Sequence, residues 1–192
     1  MTIKVIDDKY KKRKFTLIIL AYPFVLVLVG LAANLLIFGI DVAIIAMPSN
    51  EVIAALILSA VLLLANHTWL MTSTELTRLK YNMHATPEEW ETSEYVKAEV
   101  SLKGLQELER RHNAHGNATE NIVHFVLLAV LICVVSPVTI MAQVWFLSFA
   151  VSRLGHTFSY LSGRDDLRGI FMSVSLVSLY GLASYLLLSL VV

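Results

Sequence analysis

An apolar part of the chain is interrupted at residues 109–125, ERRHNAHGNATENIVHF, by charged and amide side chains. At about 100° per residue, Arg110, Asn113, Asn117, Glu120 and His124 fall within an arc of roughly 80° on a helix, forming one polar stripe. A second stripe, Arg153, His156 and Tyr160, covers about 60° in the same way. Glu75 and Arg78, one turn apart, make a shorter third. Ionisable groups in an apolar helix are costly unless they meet a partner, a ligand or water, so they point first to function. Arginine forks grip carboxylates through paired hydrogen bonds, a glutamate takes an ammonium group, and an amide holds a peptide backbone. The set therefore suits a small, multiply charged ligand. An arginine or a tyrosine hydroxyl beside a bound thiol would favour the thiolate, its nucleophilic form. A bare lock between helices, Glu120 with Arg110 or Arg153, would explain one pair but not three stripes. Glu109, His112 and His115 offer metal-ligand types. Their spacing spreads them by about 60° per step on a helix, and no matching pair recurs on a second one, so no metal site is expected.

The elements that must carry these side chains are membrane helices. Of the 192 residues, 57% are hydrophobic, and the mean hydropathy is +0.69, too apolar for a soluble domain of this length. Residues 1–14 form a tail rich in Lys and Arg. Beside an apolar run, such a cluster reads as a cytoplasmic anchor rather than a nucleic-acid patch, and no nucleic-acid partner is expected. The run at 15–40 carries no charge, is too long for a secretory signal and lacks a small-residue cleavage site. It contains Pro23, an expected kink.

A second span covers 52–74 and continues as helix through Glu75, Arg78 and Lys80. Its His67 is read as an interhelical hydrogen-bonding residue. Thr86-Pro87 breaks the pattern. Residues 87–108 then read as a polar, acidic linker with at most one or two helical turns, and with Trp90 and Tyr95 as interfacial aromatics. The third span carries the opening stripe and runs to about 135. Ser136-Pro137 turns the chain, the fourth span covers 139–161, and the last covers 169–192. The lone Cys133 excludes an intrachain disulfide. Five spans put the tail, the basic region 78–111 and the loop 164–168 on one side, with only Arg153 inside a span. The N-terminus is therefore expected in the cytoplasm.

Three segments resemble those of a known family. ERRHNAHGNATENIVHF is similar to the E-R-x-x-x-A-H-x-N-x-x-E-N segment of MAPEG, the membrane-associated proteins in eicosanoid and glutathione metabolism. RLGHTFSYLSG at 153–163 looks like its R-x-x-H-T-x-x-Y-L motif, and MHATPEE at 83–89 resembles its A-N-P-E-D loop. The likeness begins near residue 51 and is strongest toward microsomal glutathione transferases and prostaglandin E synthase. It implies an all-α integral membrane protein with a four-helix MAPEG-type bundle at 51–192; the apolar run, read as one extra transmembrane helix at 15–46, and the tail at 1–14 precede that core and lie outside the likeness. It further implies a homotrimer with glutathione bound between neighbouring subunits near the cytoplasmic face.

Carried over residue by residue, Arg78, Asn117, Glu120, His156 and Tyr160 match the family's glutathione contacts. Arg153 and His115 match supporting polar positions, beside Arg110 and Asn113 of the stripe. Arg168, after a one-residue shift in the preceding loop, matches the arginine that stabilises the glutathione thiolate. Asn113 and Gly116 stand where some members carry arginine, Gly169 where the prostaglandin synthase has serine, and Phe171 and Met172 where a tyrosine is expected. The implied activity is a glutathione transferase or peroxidase, with glutathione as co-substrate and a lipophilic electrophile or lipid hydroperoxide arriving through membrane lipid. The other reading is a non-catalytic lipid-binding or scaffolding protein of the same fold. The membrane, bacterial inner or endoplasmic reticulum, stays open.

Overall fold

The computed structural model describes the backbone of residues 2–192 and the side chains from residue 11 onward. The expected anchoring by Lys4 and Lys9 lies outside the described side chains. Every regular element among the described residues is helical. α1 (Thr2–Ala33) leads into a π-helical turn (Asn34–Phe38) and an extended segment. There follow α2 (Asn50–Lys80), a short α3 (Pro87–Glu91), a 3₁₀ turn (Lys97–Glu99), α4 (Leu102–Val134), α5 (Thr139–Ser162) and α6 (Asp165–Ser189). The apolar runs at Lys11–Phe38, Asn50–Lys80, Leu102–Val134 and Asp165–Ser189 are long and apolar enough to cross a membrane. At 24 residues, α5 is roughly 36 Å long, more than the ~30 Å hydrocarbon core. Its lower hydropathy comes partly from Arg153 and His156, both buried against the other helices.

Local chemistry sets the boundaries. α1 passes through Pro23 without interruption. Gly39, at φ 80°, ends the π turn in a conformation open to glycine. Thr86 and Glu89 form a reciprocal capping box on α3, with Pro87 in its first turn. The Glu89 carboxylate accepts the Ala85 and Thr86 amides at 2.7 and 3.3 Å, which holds its pKa below the usual carboxylate value. The linker is shorter than the sequence suggests. Ser101 caps α4 by accepting the Gly104 amide at 3.1 Å, so 102–108 belong to the helix. This start is fixed by the cap, and Gly104 lets α4 cross tightly over the Tyr81 ring, which a Cβ would approach to 2.9 Å.

The core is centred on α5, which packs against α2, α4 and α6. Phe125 and Phe149 stack at 4.3 Å, and Phe146 meets Phe125 edge-on at 5.9 Å. At one end, the Tyr185 hydroxyl accepts the amides of Val138 and Asp41 at 3.0 and 3.4 Å. Ala43 and Ala46 bond the last turns of α6 and α4 there. The chain N-terminal part of α1, the 81–101 connection and the 163–164 loop sit at the opposite, polar end.

What the extra helix packs against is decided by α6. Gly30 faces Gly181 so closely that a Cβ on Gly30 would lie 2.8 Å from the Gly181 nitrogen. Asn34, fully buried, then ties three helices together. Its amide nitrogen donates to Gly181 O at 2.7 Å and to Ser184 Oγ at 2.9 Å, and its oxygen accepts the Trp145 indole N–H at 3.0 Å. Asn34→Leu strands the indole donor, so a loss of about 2 kcal/mol is expected. The check is a lower thermal midpoint together with faster hydrogen exchange confined to 11–38. Tyr22→Phe, which deletes only an exposed 2.7 Å bond to Ser173, should change neither.

Candidate functional site

Gly163, at φ 69°, closes α5 in the left-handed conformation. α6 begins two residues later with Asp165 and Asp166 in its first turn, where carboxylates complement the helix dipole. This tight corner carries Arg168 back over the end of α5. Its guanidinium lies 5.0 Å above the Tyr160 ring, and Nη1 is 3.0 Å from Asp165 Oδ1. The Tyr160 ring is 5.6 Å from that of His156. One turn further in, Arg153 is fully buried and His156 nearly so.

Arg153 Nη2 donates to Asn117 Oδ1 at 2.8 Å and lies 3.4 Å from His156 Nδ1, while Nη1 reaches Met172 Sδ at 3.8 Å. An arginine can only donate, so His156 accepts at Nδ1 and, when neutral, keeps its proton on Nε2. Asn117, Arg153 and His156 are thus linked by hydrogen bonds, and the His156, Tyr160 and Arg168 side chains continue the row through ring contacts from the middle of the bundle to its polar end. It opens into a cleft of about 340 Å³ lined by Glu109, Arg110, Asn113, Tyr160 and Arg168, among others. Arg110 packs against the corner, with its Nη1 2.8 Å from where a Cβ on Gly163 would sit.

The other three candidates lie elsewhere. Arg78 pairs with Glu75, and its Nη2 is 3.4 Å from His112 Nε2. This places it on the α2 side of α4. His115 Nε2 lies 3.3 Å from His67 Nδ1, so His67 makes an interhelical contact as expected, with His115 as its partner. Glu120 is exposed beside Gly116 over a depression of about 450 Å³, with no ion pair among the described residues. Glu109 faces the cleft while His112 and His115 face other groups, so this trio does not converge. Two contacts had no signal in the stripes: Met172 at Arg153, and His112 at Arg78. His112 lies about 200° around α4 from Arg110, on a second polar face that a search for one stripe passes over.

The chemistry open to the cleft is anion binding beside a tyrosine hydroxyl, with Arg168 positioned to stabilise a developing or resident negative charge. The chain is similar to microsomal glutathione S-transferase 1 of Rattus norvegicus, at 33% identity over 116 residues, 59% of this chain and 74% of the relative. The likeness to microsomal glutathione S-transferase 1 of Sus scrofa has the same identity and extent. The family match starts in the first turn of α2, ends in the last turn of α6 and covers residues 53–188, so α1 stands outside it and the chain belongs to the MAPEG family.

Proposed function

We propose that the protein is a five-span membrane glutathione transferase, with peroxidase chemistry open to the same thiolate. The observation that carries this reading is the polar chain from Asn117 to Arg168 ending at a cleft. Glutathione would place its sulfur at Arg168 and Tyr160, with Asn117, His156 and Glu120 holding the tripeptide and Arg110, Asn113 and Arg153 supporting them. A thiol titrates near pH 8.5, and lowering that by about one or two units supplies thiolate at neutral pH. The sulfur then bonds to the electrophilic carbon as the leaving group departs with its electron pair. An apolar groove of about 580 Å³ between α2 and α4, lined by Leu63, Ile122, Phe125 and Ala129, suits a lipophilic molecule arriving from the bilayer. The N-terminus is assigned to the cytoplasm by its basic residues.

Arg78 and Glu120 support a site shared between copies. Arg78 lies across α4 from the cleft, and Glu120 is an exposed carboxylate with no ion pair among the described residues, which is costly in an apolar helix unless a neighbour meets it. In a homotrimer, Arg78 of one subunit would complete the site of the next. Two inactive variants, Arg78→Ala and His156→Ala, are then expected to regain conjugation of an aryl halide when coexpressed, because mixed trimers contain some intact sites. Wild-type protein that neither forms thiolate with glutathione nor conjugates the halide would overturn the enzyme reading. Activity without complementation would overturn only the shared site.

A further inference from the structure

Asn66 is fully buried in the middle of α2, and neither its amide nitrogen nor its oxygen has a hydrogen-bond partner among the described residues. A buried amide left unmet is costly, and protein interiors satisfy such groups with other protein atoms or with ordered water. On α5, Thr157 Oγ1 and Arg153 Nε are buried and unpartnered in the same way. Thr157, like Asn66 and Arg153, is 0% exposed.

The three residues lie at one level. α2 and α5 pack side by side and both run toward the polar end, where Leu70 and Tyr160 share a small cluster with Ala114 and Ala118. About one turn back from Leu70 is Asn66, and about one turn back from Tyr160 is Thr157. Their faces agree as well. Asn66 belongs to the buried row Val52, Ala55, Ser59, Leu63, Asn66 and Leu70 of α2. Around α5, His156 lies about 60° to one side of Arg153 and Thr157 about 40° to the other. Arg153 meets Asn117 of α4 on the His156 side, which leaves Thr157 toward α2. Ser59, also buried and unpartnered, is about 10 Å further along α2 and out of reach.

Whatever meets these atoms must both give and take hydrogen bonds. Asn66 presents a donor and an acceptor, Arg153 Nε only a donor, and Thr157 Oγ1 either. A halide would leave the Asn66 oxygen unmet. Water satisfies all of them, and a buried water normally has two to four polar partners. We propose that an internal water is held between α2 and α5 by the Asn66 amide and the Thr157 hydroxyl, with Arg153 Nε at its edge. The terminal nitrogens of Arg153 keep Asn117, His156 and Met172, so the water adds to those contacts and replaces none. It would join α2 to a polar row that the side chains alone carry only across α4, α5 and α6. The rotation of the helix that ends in Arg78 is then tied to the buried guanidinium.

The test uses the full-length protein in detergent micelles. If Asn66 were merely an unmet amide, Asn66→Leu would relieve it and raise the unfolding midpoint. If it holds water, the same change strands the Thr157 hydroxyl and the Arg153 donor and lowers the midpoint. The second result is expected, with the unfolding equilibrium constant increased about tenfold. Thr157→Val should act in the same direction, and the double variant should lose less than the sum of the two, because both removed the same bridge. High-resolution maps of the wild type should show a solvent peak within hydrogen-bonding distance of both Asn66 and Thr157 Oγ1, with no anomalous signal there after a bromide soak. A raised midpoint in Asn66→Leu, strict additivity, a direct bond between the two side chains, or bromide at the site would each overturn the proposal. The map decides alone where a variant fails to fold.

Discussion

Replacing Arg168 with alanine is expected to lower conjugation at saturating glutathione by roughly 10²-fold or more, the effect typical of removing one donor aimed at a reacting anion. The guanidinium lies 5.0 Å over the Tyr160 ring and 3.0 Å from Asp165 Oδ1, so its charge stands at the mouth of the cleft beside the tyrosine. Without it the bound thiol keeps more of its ordinary pKa, near 8.5. The sign follows directly. The thiolate fraction at neutral pH falls in the variant, and its activity recovers as pH rises toward that value. Arg168→Lys retains a charge but not the planar fork and should recover part of the rate. The discriminating measurement is the pH profile of kcat, which a purely structural role would not move. A raised KM with kcat and its pH profile unchanged would show that Arg168 binds glutathione without activating it.

Asn117→Leu is expected to cost about 2–3 kcal/mol of stability, more than Arg153→Met does. Arg153 is 0% exposed, and Asn117 Oδ1 is the oxygen acceptor its terminal nitrogens reach, at 2.8 Å. Removing the acceptor leaves a buried guanidinium with only an imidazole at 3.4 Å and a thioether at 3.8 Å, and hydrogen bonds to charged groups carry about 1.5–3 kcal/mol. Removing the charge leaves Asn117, which is only half-buried, with access to water. The double variant should therefore recover much of what Asn117→Leu loses, a coupling that a double-mutant cycle reads out. Equal losses from the two single variants would mean that water reaches Arg153.

The sequence by itself determined the helical membrane class, the order and approximate ends of the long helices, and the residues of the polar chain. Apolar runs without charge and stripes at helical spacing are local properties, and the segments at 83–89, 109–125 and 153–163 carried the family likeness. Caps already written in the sequence, such as Ser101 before α4, were harder to read because a polar first turn looks like linker.

Only the tertiary structure decided which stripes meet. Arg78, His115 and Glu120 have the same kinds of side chain as Asn117 and Arg153. Which way each faces depends on how α4 is rotated between α2 and the α5–α6 pair. That rotation goes with the buried row Ala114, Ala118, Asn121 and Phe125, whose small residues and stacked ring are packed against the other helices. The docking of α1 was equally hidden. Asn34 reads as one amide in an apolar run until α5 brings an indole donor and α6 a carbonyl and a hydroxyl to meet it. Partners more than a hundred positions apart in the chain leave no local periodicity to find.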